Sequence, residues 1–267
     1  MLDFWQLLWL AVIQGLTEFL PVSSSAHLIL PSQILDWPDQ GPLIDVMAHF
    51  GSLFAVLIYF RRDVGRLLLG LLDLLKRNLS RDAVLALSLI IATPPALILG
   101  AVMAVTGLDE AVRSPLVIAT TTIVFGVLLW LADLWGREER VAEDLTWKGA
   151  LGMGLAQAVA LVPGTSRSGI TMTVGRAMGL TRVEAARFSM LMSLPVIGAG
   201  GLYSLLKLSS VETAGASLSD GLVVAGLSFA AAYLAIALFM RWVPRIGMFP
   251  FMVYRLALGA VLLMMFL

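Results

Sequence analysis

The sequence predicts an all-α polytopic membrane protein: six transmembrane helices and two re-entrant helical regions, arranged as an inverted-topology repeat. Three observations carry that expectation. Hydrophobic residues make up 59% of the chain and charged residues 13%, with a mean hydropathy of +0.92. Apolar runs of roughly 18 to 25 residues recur along the whole 267-residue length, which suits a bilayer better than one large soluble core. Two further apolar regions are interrupted by Pro, Gly, Ser and Thr, and the basic residues gather in alternate connections.

Taken in order, region 5–35 is apolar but broken at "FLPVSSSAHLILP", so it is read as a re-entrant pair. Spans follow at about 43–60, 83–106 and 115–135. Region 147–180, broken at "LVPGTSRSGITM", is the second re-entrant pair, and spans at 188–208, 221–240 and 248–267 close the chain. Irregular backbone at membrane depth survives only inside protein or beside a wet cavity, so each break predicts a cavity. The opening "FWQLLWLAVI" lacks the basic start of a signal peptide, since Asp3 is the only charge before Glu18, and is read as part of the mature protein.

Arg61, Arg62, Arg66, Lys76, Arg77 and Arg81 crowd the first connection. Arg137, Arg140 and Lys148 lie near the third, and Arg241 and Arg245 in the last, whereas the alternate connections at 107–114 and 209–220 hold only Arg113. The positive-inside rule puts the rich connections in the cytoplasm and both chain ends outside. Region 5–35 then dips from the outer side and region 147–180 from the cytoplasmic side, within a single membrane domain whose repeats run over 1–135 and 147–267. Setting Pro21 over Pro163 places Ser24 on Ser166 and Ser25 on Arg167. Inverted repeats of this kind place a site where the two breaks meet.

Basic and acidic residues balance at 18 each, so no basic face points to nucleic acid. Cysteine is absent, which removes disulfides, thiolate nucleophiles and thiolate metal sites. What stands out is polar chemistry at the breaks. "GTSRSG" at 164–169 reads as an anion cradle: Arg167 supplies a forked cation, Thr165, Ser166 and Ser168 supply hydroxyls, and a helix resuming near Ile170 points its positive end there. An arginine inside a membrane segment is costly unless paired or functional. "EFLPVSSSAH" at 18–27 reads as the reactive half: His27 as base, acid or phosphoryl acceptor, Ser24 as a hydroxyl in reach, and Glu18 to orient, activate or hold a divalent cation. Gln14 lies one turn before Glu18 on the same helical face. Ser23 and Ser25 are either further substrate contacts or bonded back to their own backbone. Arg176, Arg182 and Arg187 are read as snorkelling to the cytoplasmic surface. His49 and Asp45, four apart, either share a face towards the cavity or lie at the interface.

"QGLTEFLPVSSSAHL" at 14–28 and "PGTSRSG" at 163–169 resemble the two signature motifs of the undecaprenyl-diphosphate phosphatase family, also called the bacitracin-resistance proteins. "DVMAHFGSLFAV" at 45–56 and "ARFSMLMSLP" at 186–195 are similar as well, so the resemblance covers nearly the whole chain. It implies a bacterial inner-membrane enzyme that removes the terminal phosphate of a polyprenyl diphosphate lipid, with a site open to the periplasm, a divalent cation (magnesium or calcium), no organic cofactor, and often a homodimer. By motif position, Glu18, Ser24 and His27 match the family's catalytic residues and Arg167 its phosphate-binding arginine. Gln14 stands where the family has Glu or Gln, so a second carboxylate beside Glu18 is missing and a two-carboxylate metal site is in doubt. Ala26 replaces the usual glycine before the histidine, which implies an ordinary backbone angle there.

Ser24 with His27 as its base is the preferred nucleophile; a phosphohistidine and direct attack by water stay open. The rival reading is a transporter or flippase of a lipid phosphate or small anion, which would use the same anion site but has less need of a nucleophile beside a histidine.

Overall fold

The computed structural model describes residues 3–28, 37, 41–108, 112, 114–208 and 217–266. Its helices are α1 (Phe4–Phe19), α2 (Gly41–Tyr59), α3 (Arg61–Leu75), α4 (Arg81–Ala92), α5 (Pro94–Thr106), α6 (Pro115–Trp135), α7 (Trp147–Val159), α8 (Arg167–Ala177), α9 (Arg182–Leu208), α10 (Leu218–Ile246) and α11 (Phe249–Phe266), with a short helical stretch at 24–28. Among the described residues, six stretches are long and apolar enough to cross a membrane: α2, α4 with α5, α6, α9 as far as Leu206, α10 and α11. They are the six runs expected. The second is interrupted at Thr93 because Pro94 and Pro95 cannot donate to the preceding turn, and Pro94 instead opens α5. α9 begins at Arg182 rather than near residue 188.

Local chemistry sets the ends of the shorter helices. Asp3 caps α1 by accepting from the Gln6 amide while the Gln6 side chain accepts from the Asp3 amide, at 2.8 and 2.9 Å. Pro21 disfavours helical backbone at Leu20, where α1 stops in an extended conformation. Thr146 caps α7, and Ser166 caps α8 by accepting from the Gly169 amide at 3.1 Å. The 13 and 11 residues of α7 and α8 make them about 20 and 17 Å long, each short of a hydrocarbon core of about 30 Å. The chain returns to where it left: Glu139 and Arg140 amides donate to the Gly179 carbonyl at 3.2 and 3.0 Å, and the Thr181 amide to the Arg140 carbonyl at 3.1 Å. The first broken region is described only to residue 28, so its expected extent to 35 lies outside the described residues, as does Arg113.

Both short leading helices are seated by a glycine. A Cβ on Gly15 would lie 2.6 Å from the Ser228 carbonyl oxygen of α10, and one on Gly154 would lie 2.6 Å from the Ala92 carbonyl oxygen of α4. Only hydrogen fits at either contact, and α1 and α7 therefore approach their neighbours backbone to backbone. The main core gathers Phe19, Phe188, Met190, Leu191, Ile236 and Phe239 around the ends of α1 and α8.

The expectation for Arg176 and Arg187 is corrected: they do not snorkel outward. Arg176 is 1% exposed; it bonds the Asp133 carboxylate and the carbonyls of Asp133, Gly136, Arg137 and Leu180. A forked guanidinium at the C-terminus of α6 answers the carbonyls that a helix end leaves unpaired. Arg187 bonds Asp63, Glu143 and Glu184, and Arg66 bonds Asp82 and the same Glu143. Arg182 keeps partial exposure and bonds Asp133. Paired burial replaces snorkelling because each cation has a carboxylate within reach. Burial would raise the Glu143 carboxyl, but the Arg187 and Arg66 guanidinium groups win and hold it below the usual range. These networks tie α3, α4, α6, α8 and α9 together at the basic end of the bundle.

Candidate active site

Two turns meet inside the bundle, one after α1 and one before α8. They are built alike. Ser23 and Ser166 both take a positive φ, of 73° and 67°. Each pairs with the hydroxyl two residues on, Ser23 with Ser25 at 3.1 Å and Ser166 with Ser168 at 3.2 Å. The second hydroxyl of each pair then reaches across: Ser25 Oγ accepts from the Gly164 amide at 3.2 Å, and Ser168 Oγ donates to the Leu20 carbonyl at 2.9 Å. This likeness sets Ser23 against Ser166, one residue away from the pairing expected from Pro21 and Pro163. Four of the expected contact hydroxyls are thus engaged in clamping the turns together. The Thr165 hydroxyl is buried without a hydrogen-bond partner among the described residues.

Glu18 is where the two turns share chemistry. Its Oε2 accepts from Gln14 Nε2 at 3.0 Å and from Ser24 Oγ at 3.1 Å. Its Oε1 accepts from Arg167 Nη2 at 3.2 Å. Arg167 occupies the first position of α8, since the helix starts there and not near Ile170. Its Nη1 donates to the Ser189 carbonyl at 3.1 Å, and its guanidinium lies 5.5 Å from the centre of the Phe19 ring. Carboxylate, hydroxyl and a guanidinium 149 residues further along the chain therefore form one half-buried cluster.

His27 and Ser24 are bonded to different groups. Its Nδ1 faces the Ser23 carbonyl at 2.7 Å, and its Nε2 the Tyr254 hydroxyl at 2.6 Å. A carbonyl only accepts, so Nδ1 carries the proton and neutral Nε2 receives the tyrosine's hydrogen. The imidazole nearest Glu18 is that of His49, with Nε2 3.8 Å from Oε2. Ala26 sits within the helical stretch 24–28 and outside the positive-φ residues, as expected.

A family model described as bacitracin resistance protein BacA matches residues 7–261. The chain belongs to the BacA family. Among its BacA relatives, a protein of Maricaulis maris named undecaprenyl-diphosphatase is 54% identical, over 96% of this chain and 97% of that protein. Proteins of Alteromonas mediterranea and Alcanivorax borkumensis with the same name are 49% and 50% identical, each over 98% of both chains.

In this BacA protein, sequence reasoning missed Tyr254 and Arg255 of α11. Arg255 has no exposed surface. Its Nε donates to the Thr122 carbonyl at 2.9 Å, and its Nη2 to the carbonyls of Gly164 and Thr165 at 2.9 and 3.0 Å. Its Nη1 is buried without a partner among the described residues, and a Cβ on Gly169 would lie 2.7 Å from it. No carboxylate lies within 4 Å of it among the described residues, so its charge adds to the positive potential beneath the start of α8. The signal was available, because "YR" places a cation within the last apolar run.

Among the described residues there is no group of three His, Cys, Asp or Glu able to hold a metal ion. Among the described residues Glu18 is the carboxylate that bonds both turns, and both its oxygens have donors. The residues present fit a cation shared between Glu18 and substrate phosphates, the usual habit of magnesium, and not a cage made by protein alone.

Proposed function

We infer that the chain is a membrane phosphatase that hydrolyses undecaprenyl diphosphate to undecaprenyl phosphate and inorganic phosphate. It thereby recycles a lipid carrier for cell-wall synthesis and confers bacitracin resistance. The carrying observation is the cluster of Glu18, Ser24 and Arg167. A hydroxyl bonded to a carboxylate, with a fixed guanidinium on that carboxylate's other oxygen, suits attack on phosphorus and neutralisation of the charge that builds there.

In this reading Ser24 Oγ attacks the terminal phosphorus and gives its proton to Glu18, whose Oε2 is already its acceptor. Tyr254, hydrogen-bonded to His27 on the exposed side, would turn its hydrogen from Nε2 to a phosphate oxygen when the substrate enters, and an imidazole that then gains a proton at Nε2 would donate there as well. Arg167 binds the diphosphate and Arg255 holds the 163–169 turn in place; Glu18 would hold a divalent cation together with the substrate, and that cation would offset phosphate charge. For the prenyl tail, a largely apolar groove of about 430 Å³ runs between α5 and α9 past Ala96, Gly100, Ala199 and Tyr203. Leu161, two residues before Pro163, lines the same groove.

We propose the inverted repeat on the same footing. Support comes from the paired turns, from Gly15 and Gly154 seating α1 and α7, and from a chain that enters α7 and leaves α8 at one end. "QGLTE" at 14–18 and "MGLAQ" at 153–157 then set Glu18 over Gln157, a buried amide without a hydrogen-bond partner among the described residues. The halves have diverged, one keeping the acid and the other supplying the arginine. With the basic end in the cytoplasm of an inner membrane, the site faces the periplasm.

The test is phosphate release from undecaprenyl diphosphate by detergent-purified protein, with and without chelator, beside folded His27→Ala. Cation-dependent turnover that falls at least about 100-fold in the variant is expected. No release across pH and metals, with lipid or anion flux in vesicles instead, would replace the enzyme by a transporter.

A further inference from the structure

α3 is amphipathic the wrong way round for a helix in water. Asp63, Arg66, Gly70 and Asp73 fall on one side of it, and that side faces the protein. Asp63 bonds Arg187 of α9 at 2.7 Å, Arg66 bonds Asp82 of α4 at 2.7 Å and Glu143 at 2.6 Å, and Asp73 accepts from Ser80 Oγ at 2.5 Å. A Cβ on Gly70 would strike the Asp82 carbonyl, so the backbones of α3 and α4 touch there. Leu68, Leu71, Leu72 and Leu75 recur at helical spacing on the opposite side. They are 59, 42, 51 and 82% exposed, so the leucine side is bare while the ion pairs fill the polar one.

The ends of the helix indicate what lies against that side. Arg61 and Arg62 open it, and Lys76, Arg77 and Arg81 follow it. All five are exposed, and none has a carboxylate within 4 Å among the described residues, unlike Arg66 between them. With 15 residues the helix is about 22 Å long, too short to cross a hydrocarbon core of about 30 Å. Cations at both ends therefore hold both ends at one surface, the basic end of the bundle where α2 finishes and α4 begins. Exposed leucines between clusters of unpaired cations match the boundary of a bilayer, with acyl chains for the first and anionic heads for the second. A second copy fits poorly. Packing two leucine sides about a two-fold axis would lay the terminal cations of one copy against those of the other, with no carboxylate to separate them.

We propose that α3 lies along the membrane boundary, with Leu68, Leu72 and Leu75 among the acyl chains and its terminal cations on anionic phospholipid heads. Its inner side then carries that attachment to the bundle, because Asp63 and Arg66 are bonded to Arg187, Asp82 and Glu143 at the starts of α9, α4 and the segment before α7. This placement of α3 is independent of the hydrolase reading and stands or falls without it.

The natural chain has no cysteine, so single labels report one position each. Leu68→Cys, Leu72→Cys and, as a reference in an exposed connection, Glu139→Cys are labelled with nitrobenzoxadiazole and reconstituted in phosphatidylcholine vesicles with and without phosphatidylglycerol. Nitroxide lipids labelled near the head group are expected to quench the Leu68 and Leu72 sites more than lipids labelled at the chain end, with iodide quenching below about half of that at Glu139. Nitroxide carried on phosphatidylglycerol should quench about 5-fold more than the same label on phosphatidylcholine, and the two should become equal once Arg61, Arg62, Lys76, Arg77 and Arg81 are all changed to glutamine. Iodide quenching equal to that at Glu139 would put the leucine side in water and overturn the proposal. Stronger quenching from the chain ends would make α3 a deep segment and overturn it too. Energy transfer between copies that fades as lipid dilutes the protein, without lipid quenching, would assign the leucine side to a second copy. Equal quenching by both lipids before the cations are removed would overturn the anionic partner.

Discussion

Phosphate release by Arg167→Met is expected to be slower than wild type by about 10³-fold, the scale of a lost transition-state guanidinium. Arg167 is fixed from three sides, by Glu18 Oε1, the Ser189 carbonyl and the Phe19 ring, so its fork is oriented before substrate arrives. Methionine preserves bulk beside Phe19 but removes the charge that meets the diphosphate, and leaves a buried Glu18 without its cation. Arg167→Lys is expected to keep part of the rate, because a point charge cannot hold the carboxylate and the carbonyl and still meet a phosphate. Steady-state phosphate release on variants whose thermal unfolding matches wild type checks this.

Arg255→Met carries the second large effect. Arg255 donates to Thr122, Gly164 and Thr165 carbonyls within the protein, and methionine would take a donor from each of these buried groups, leaving Gly164 only its bond from the Thr122 hydroxyl. Stability should drop by about 2 to 4 kcal/mol. The turn that starts α8 would then lose its anchor. A shift near 1 Å at Arg167 costs about 100-fold in rate. Arg255→Lys should recover stability more than rate, since an ammonium still gives buried carbonyls a charged donor but, without the fork, does not fix the turn as the guanidinium does. Equal loss of rate and stability in the lysine variant would make Arg255 a plain structural residue.

The bundle was legible in the sequence wherever one run of apolar residues could span alone. The six spans needed only length and composition, and Pro21 and Pro163 marked the breaks. Gln14 and Glu18 were placed on one face by helical spacing, which the 3.0 Å bond between them follows. Arg176 and Arg187 were misread because snorkelling depends on whether a carboxylate waits inside, and Asp133 and Glu143 come from distant segments. The preferred base for Ser24 also turned on tertiary geometry: His27, three residues on, is drawn to Tyr254 of the last helix, while Glu18 approaches the hydroxyl across a proline turn. Sequence spacing cannot report a contact made between opposite ends of a chain.

The central claim is that the two turns form one reacting unit through Glu18 and Arg167. A double-mutant cycle on phosphate release tests it most directly, using the mild changes Glu18→Asp and Arg167→Lys so that every rate stays measurable. Each single variant should lose about 100-fold. The account predicts a double variant within about 10-fold of the slower single one, because the second change acts on a contact already broken. Losses that multiply, to about 10⁴-fold, would mean that the two residues act independently, and would contradict a shared site.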